Sequence, residues 1–294
     1  MDDDAGLICE DAPPQGPLFH YTSFDGLNGI VRGKTLWATN IEYLNDRTEF
    51  RHGEEILRKA AAARKIKTRG RLREFYNELE KCPSFFAAED VFVISMSENG
   101  DLLSQWRGYT PIGGGFNVGF DPVGLRSATW EPHKPHLIQC RYDDDEKRGF
   151  AESFLNEQRP NGLAEMLLSR KPKNKSEKDI VFEAAIVFFK LCVSCAIAKM
   201  KDKSFAEEKE WRLLITCTQA EQIRFRMGKS LLTPYIELKW GNNAEVMSLQ
   251  PIRSVTIGPC PDPDLSKQSI DRFLTSSGNG TVSAENSQIP FRSW

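Results

Sequence analysis

"LFHYTSFDGLNGI", Leu18 to Ile30, is where the fold begins to be legible. "LFHYT" reads as a short strand rich in aromatic and β-branched residues. Ser23 is a natural N-cap, Asp25 suits the first turn of the helix "FDGLNGIVRG", and Gly33 can end that helix. "TLWAT" then reads as a second strand. Further strands are expected at "VFVISMS" (Val91 to Ser97), after the turn in "GGGFNVGFD", and at "HLIQCRYD". A mostly helical region follows from about 146 to 203. After it come "EWRLLITCT", "QIRFRM", "TPYIELKW" and "IRSVTIGP", and a last helix near "DLSKQSIDRFLTSSG". Strands stand early and late with helices inserted between them. That order lacks the regular strand–helix alternation of a doubly wound parallel sheet and predicts an α+β fold with antiparallel sheets.

The chain has 294 residues, a length that favours one elaborated domain, and 40% of them are hydrophobic, enough for a sizeable core. Residues 1–16, acidic and Pro-containing, are expected to be a flexible tail, and residues 17–294 a single domain with a helical insertion at about 146–203. The net charge of -2 gives no general attraction to nucleic acid or membrane. "MDDDAGLICED" has neither the basic nor the apolar region of a signal peptide. Val181 to Met200 is very apolar but carries Glu183, Lys190 and Lys199, so it reads as a buried helix and not a membrane span. A soluble, cytoplasmic protein is the expectation.

Seven scattered cysteines fit a reduced compartment. Cys192 and Cys195 sit inside the apolar helix and read as core. His133, His136 and Cys140 offer three potential ligands without a fourth, a weak zinc signal, so no metal is expected. The run "RKIKTRGRLR", residues 64–73, reads as a solvated helical face broken at Gly70, with a phosphate-tracking patch as the alternative. Neither a phosphate-binding glycine loop nor a nucleophile elbow is present.

Three clusters put polar and aromatic residues at strand ends. The first is His20-Tyr21-Thr22, with Trp37 and then Tyr43, Asn45 and Asp46. The second is "SENGDLLSQWRGY", with Ser104, Gln105, Trp106, Arg107 and Tyr109. The third is "EEKEWRLLI", with Glu208, Glu210 and Arg212. Aromatic rings beside hydrogen-bonding groups suit a flat, polar ligand such as a nucleotide. Period-two alternation places Glu210, Arg212 and Leu214 on one face of a strand and Trp211 and Leu213 on the other. A face with both Glu210 and Arg212 reads either as functional or as a solvated, ion-paired surface.

The ordered set "HYTS", "LWAT", "YLND..E", "D.LSQWR.Y", "F.VGFD", "E.EWR" and "IPFR" resembles a bacterial family of domains of unknown function, number 2971, from about Leu18 to Arg292. That family is grouped with the ADP-ribosyltransferases. The resemblance implies a split antiparallel β-sandwich and an NAD-dependent transfer of ADP-ribose to a macromolecule, protein or nucleic acid. The setting it implies is a toxin or anti-phage defence effector, with NAD as substrate and no metal. By it, Glu210 is the late catalytic glutamate and Glu208-Lys209-Glu210 is similar to the E-x-E of arginine-modifying members. His20 would donate to a ribose hydroxyl, Thr22 would support the amide end of nicotinamide, Tyr21 would join the NAD site, and Trp37 or Tyr43 would stack on nicotinamide. Asn45, Ser104, Trp106 and Tyr109 would complete the NAD site, with Arg107 or Arg212 on the pyrophosphate. The alternatives are an NAD glycohydrolase, an RNA-directed enzyme on the same scaffold, and a non-catalytic nucleotide sensor.

Overall fold

The computed structural model describes residues 10–44, 47–82, 84, 91–111, 113–156, 175–217, 219–228, 231–241 and 251–290. The chain opens as expected, with β1 (Leu18–Thr22), α1 (Phe24–Gly33) and β2 (Thr35–Asn40). The Ser23 hydroxyl accepts the Gly26 N–H and caps α1. Lys34, in the left-handed conformation at φ 52°, ends that helix one residue past Gly33. After the short turn Ile41–Tyr43 come α2 (Arg47–Lys67) and α3 (Gly70–Glu80), separated where Gly70 takes φ 61°. The basic run 64–73 spans this junction, and its Lys65 pairs with Glu80 at 2.7 Å.

The middle of the chain holds β3 (Val91–Ser97), α4 (Leu103–Tyr109), β4 (Phe116–Phe120), α5 (Pro122–Ser127), β5 (Thr129–Glu131) and β6 (His136–Gln139). Next come α6 (Asp144–Asn156), α7 (Lys175–Ile197) and β7 (Glu210–Thr216). The chain closes through β8 (Arg224–Met227), β9 (Leu232–Gly241), β10 (Ile252–Ile257), α8 (Pro263–Ser276) and β11 (Ser283–Asn286).

The fold is α+β, and the described strands form one continuous sheet in the order β11-β10-β4-β1-β3-β2-β9-β5, with β7 and β6 on the other side of β3 and β8 beside β9. Two features differ from the expected pair of antiparallel sheets. The sheet is mixed, because α8 carries the chain from β10 to a parallel neighbour, β11. And the sheet is not two separate layers but one that forks at β3. The β2 ladder holds β3 at Phe92 and Val93, while β1 meets it only at Ser97, opposite Phe19. Beyond that single pair β1 leaves β3 and runs beside β4.

Each face of the forked sheet buries its own core. On the inner side, Leu18, Phe92, Ile94, Met96, Val118, Trp211 and Leu213 pack with α1, α5 and α8. On the other side, Val91, Val93 and Leu214 pack against α2, α3, α6 and α7. The helical layer is therefore larger than the single insertion expected at 146–203, since α2 and α3, inserted between β2 and β3, supply part of it. The described part of α7 behaves as a core helix. Cys192, Val193, Cys195, Ala196 and Ile197 are buried, although Ile180–Ile197 is long and apolar enough to cross a membrane by length and composition alone.

Residues 1–9 of the expected flexible tail lie outside the described residues, whereas Glu10 and Asp11 are held against the fold. The Asp11 N–H donates to the Leu137 carbonyl at 3.1 Å, and its carboxylate accepts the Gln139 N–H at 2.9 Å and meets Lys199 at 2.8 Å. Glu10 meets Arg126 and His136. These contacts cover the outer edge of β6, whose backbone groups would otherwise lack partners. His133 is bound to Gln222 and His136 to Glu10, so the two are drawn to different partners.

Candidate functional site

The fork leaves a stretch of β3 edge between its two partners, and His20 bridges it. The imidazole Nδ1 lies 2.9 Å from the Ser95 carbonyl oxygen. A carbonyl only accepts, so Nδ1 carries the proton. Burial lowers the His20 pKa. The Ser95 hydrogen bond opposes this and the positive charge of Arg226 adds to it. The ring is therefore neutral near pH 7, with Nε2 as an acceptor. This is the opposite polarity from the donor role that the resemblance implied for His20.

Beside His20 opens a cavity of ≈ 60 Å³, room for several waters at the roughly 10–15 Å³ each needs. Its walls come from four places in the chain: Phe19 to Tyr21 of β1, Ser95 to Ser97 of β3, Gln105 and Tyr109 of α4, and Glu208 and Glu210. The register explains the meeting. Ser97 pairs with Glu210 across β3 and β7, so both side chains lie on one face. The Ser97 hydroxyl donates to the Glu208 carbonyl at 2.5 Å and accepts the Asn99 N–H at 2.9 Å, which ties the turn before β7 to the end of β3. Between the two glutamates Lys209 adopts φ 41°, a conformation disfavoured for a residue with a Cβ, and this turns both carboxylates toward one ammonium.

That ammonium is Lys201. It lies 2.5 Å from Glu210 Oε2 and is hydrogen-bonded to Glu208 Oε2. Arg212 grips Glu210 with Nε at 2.9 Å and Nη2 at 3.1 Å, while its Nη1 donates to the Ala198 carbonyl at 2.8 Å. The Glu210 N–H donates to the Tyr142 hydroxyl at 2.7 Å. All four charged side chains are buried. The alternation expected for β7 holds, and its ion-paired face is buried beneath the helical layer, with Glu210 reaching the cavity.

The two carboxylates are pushed apart in acidity. Burial raises Glu210, and the charges of Arg212 and Lys201 override it and bring the group down to about 2. Burial also raises Glu208, and there Lys201 does not overcome it, so Glu208 holds its proton more readily than an ordinary glutamate. Burial works against the Lys201 charge, but Glu210 and Glu208 outweigh it and its pKa is raised. Divergent carboxylates in one site are the arrangement that lets one act as a fixed charge and the other exchange a proton.

Not all expected site residues gather here. His20, Tyr21, Tyr109, Glu208 and Glu210 line the cavity. The Tyr21 hydroxyl, however, donates to the Asn99 carbonyl at 2.8 Å and accepts the Leu102 N–H at 3.0 Å, so it braces the wall. Trp106 is buried, with its indole N–H on Asp101 at 2.7 Å and its ring edge-on to Tyr21. Thr22 ends β1 against α1, where its hydroxyl fills the space beside Gly26. Arg212 is 2% exposed and committed to Glu210, so it is corrected from a pyrophosphate ligand to an internal partner. Ser104 and Arg107 lie on the exposed side of α4. Asn45 lies outside the described residues.

Trp37 and Tyr43 do not line the cavity; Tyr109 supplies its aromatic rim. Trp37 nonetheless shares the cavity's face of the sheet. Thr39 pairs with Val93, which places Trp37 and Thr39 on the side of Val93, Ser95 and Ser97. There Trp37 lies 4.6 Å from the Tyr235 ring, tilted by 33°, and Arg226 sits over both rings. Sequence reading missed Lys201, Tyr142, Tyr235 and Arg226. Each enters from a segment distant in the chain, and none stands in a motif that marks it.

Comparison with known proteins adds one match. Residues 105–213 match the family described as "Protein of unknown function (DUF2971)". That span runs from the α4 wall of the cavity, Gln105, through Glu208 and Glu210 to the start of β7. No curated protein and no solved structure matches the chain.

Proposed function

We propose that the chain cleaves the nicotinamide–ribose bond of NAD⁺ and transfers ADP-ribose to a macromolecular acceptor, on a scaffold of the ADP-ribosyltransferase type. The observation that carries this reading is the meeting, in one cavity at the sheet fork, of neutral His20 with two carboxylates of opposite acidity, Glu210 and Glu208.

The chemistry asks for these groups. When the C–N bond breaks, its electron pair leaves with neutral nicotinamide and positive charge develops at the ribose carbon. Glu210, held ionised, stabilises that charge as it forms. Its carboxylate needs no reorganisation, because Arg212 and Lys201 fix it beforehand. His20 accepts a hydrogen bond from a ribose hydroxyl through Nε2 and so positions the sugar. Glu208 takes the proton of the attacking nucleophile, a task suited to a carboxylate with a raised pKa. With water as nucleophile the same steps give NAD hydrolysis. Tyr109, 41% exposed at the rim, offers a surface for the nicotinamide ring.

One observation favours a second reading. Both oxygens of Glu210 are already bonded, to Lys201 and Arg212, as in a site that holds a nucleotide without cutting it. Incubation with labelled NAD⁺ separates the two: release of nicotinamide supports cleavage, and NAD⁺ recovered intact after binding supports sensing.

A further inference from the structure

We infer that Trp37 and Arg226, backed by the buried ring of Tyr235, form a binding shelf for the ring and diphosphate of a nucleoside diphosphate moiety, outside the cavity and on the same face of the sheet. For the direction of the substrate this rests on the NAD⁺ reading; the binding itself does not require cleavage.

Arg226 is the anomaly that points there. It is half-buried on β8, and its Nη2 donates to the Thr39 hydroxyl at 2.8 Å. Its guanidinium lies 5.6 Å from the Trp37 ring centre and 5.8 Å from that of Tyr235. Among the described residues no carboxylate comes within ion-pair distance of it. Its neighbour Arg224 pairs with Glu237 at 2.6 Å, so the strand does provide carboxylates where they are only structural. Burial lowers the Arg226 pKa, and no carboxylate offsets it. Two aromatic faces hold a guanidinium but do not neutralise it, and a partly desolvated cation without a counter-ion is unfavourable. Most of its fork of five N–H donors remains to receive a planar or tetrahedral anion.

The shelf also has the apolar half of such a site. Trp37 is 44% exposed although it sits in mid-strand, and its ring lies beside Tyr235. A ring system stacked here would place an attached phosphate at Arg226. Charge sets the orientation of a ligand that also reaches the cavity. At the cavity end Glu208 and Glu210 are compensated by Lys201 and Arg212, so it is Arg226 that directs the anionic part of the ligand to its own end.

The test is calorimetric titration of the full chain with ADP, adenosine and inorganic pyrophosphate, using wild type, Arg226→Gln, Arg226→Lys and Trp37→Ala of matched melting temperature. Wild type should bind ADP, and Arg226→Gln should weaken it about tenfold or more, the usual scale for losing charge-assisted hydrogen bonds. Arg226→Lys should restore only part of the loss. Trp37→Ala should weaken ADP and adenosine but not pyrophosphate, and Arg226→Gln should leave adenosine unchanged. Two results would overturn the inference: no ADP binding to wild type, or equal ADP affinity in wild type and Arg226→Gln. Pyrophosphate binding as tightly as ADP would remove the ring from the site and overturn it as stated. ADP binding of the expected pattern without any nicotinamide release would defeat the NAD⁺-cleavage reading alone. Nicotinamide release with a KM for NAD⁺ unmoved by Arg226→Gln would defeat the shelf alone.

Discussion

The Lys201 ammonium stands 2.5 Å from Glu210 Oε2, both side chains buried where the helical layer meets the sheet. Lys201 follows α7, and Glu210 begins β7, so this contact ties the helical layer to the sheet at the cavity wall. With Glu208 and Arg212 it makes a buried set of two positive and two negative groups, each dependent on the others for compensation.

Replacing Lys201 with Met should therefore destabilise the fold by about 3–5 kcal/mol, the usual scale for leaving a buried charge without its partner. Urea unfolding monitored by far-UV circular dichroism measures it. Lys201→Arg, which keeps the charge, should recover a substantial part of the loss.

The two glutamates should respond unequally. Glu210→Gln removes the carboxylate that Arg212 and Lys201 both hold and should cost about 3 kcal/mol or more. Glu208→Gln keeps an acceptor for Lys201 and removes a group whose ionised form burial disfavours, so its cost should be about 1 kcal/mol or less. Parallel urea melts of the two variants compare them. Glu208→Gln is accordingly the cleaner probe of chemistry, since loss of activity in Glu210→Gln mixes with loss of fold.

Acid should act through Glu210 and His20 in different windows. Glu210 is lowered from 4.5 to about 2, so its stabilisation is complete above pH 4.5 and is lost as pH falls toward 2. At about 1.4 kcal/mol per pKa unit the loss is roughly 3 kcal/mol. His20 is lowered from 6.5, so the unfolded chain gains its proton first and stability declines as pH falls through 6.5. Stability measured from pH 7.5 to 5 should slope downward in wild type and less in His20→Gln. The steeper loss below pH 4.5 should be missing in Glu210→Gln.

Local patterns made much of this fold legible. Ser23, the alternation from Glu210 to Leu214, the break at Gly70 and the apolar helix around Cys192 and Cys195 are short-range features, and the sequence carries them directly. The fork is not local. It depends on β1 touching β3 only at Phe19 and Ser97, a choice made by strand partners far apart in the chain. The same limit explains the site. His20, Glu208 and Glu210 stand at strand ends beside recognisable motifs, whereas Lys201 and Arg226 are two of 39 basic residues, with nothing in their surroundings to mark them. Arg212 was legible as unusual, but its role turned on which side of β7 the helices cover.

The most direct measurement is release of nicotinamide from labelled NAD⁺ by the full chain, with and without cell lysate as a source of acceptor. Wild type should release nicotinamide, and His20→Ala and Glu208→Gln should each lose about two orders of magnitude, a typical effect of removing a group that stabilises or positions the transition state. Both variants should keep a cooperative melt near that of wild type. Absence of nicotinamide release from folded wild type under every acceptor condition would contradict the proposal.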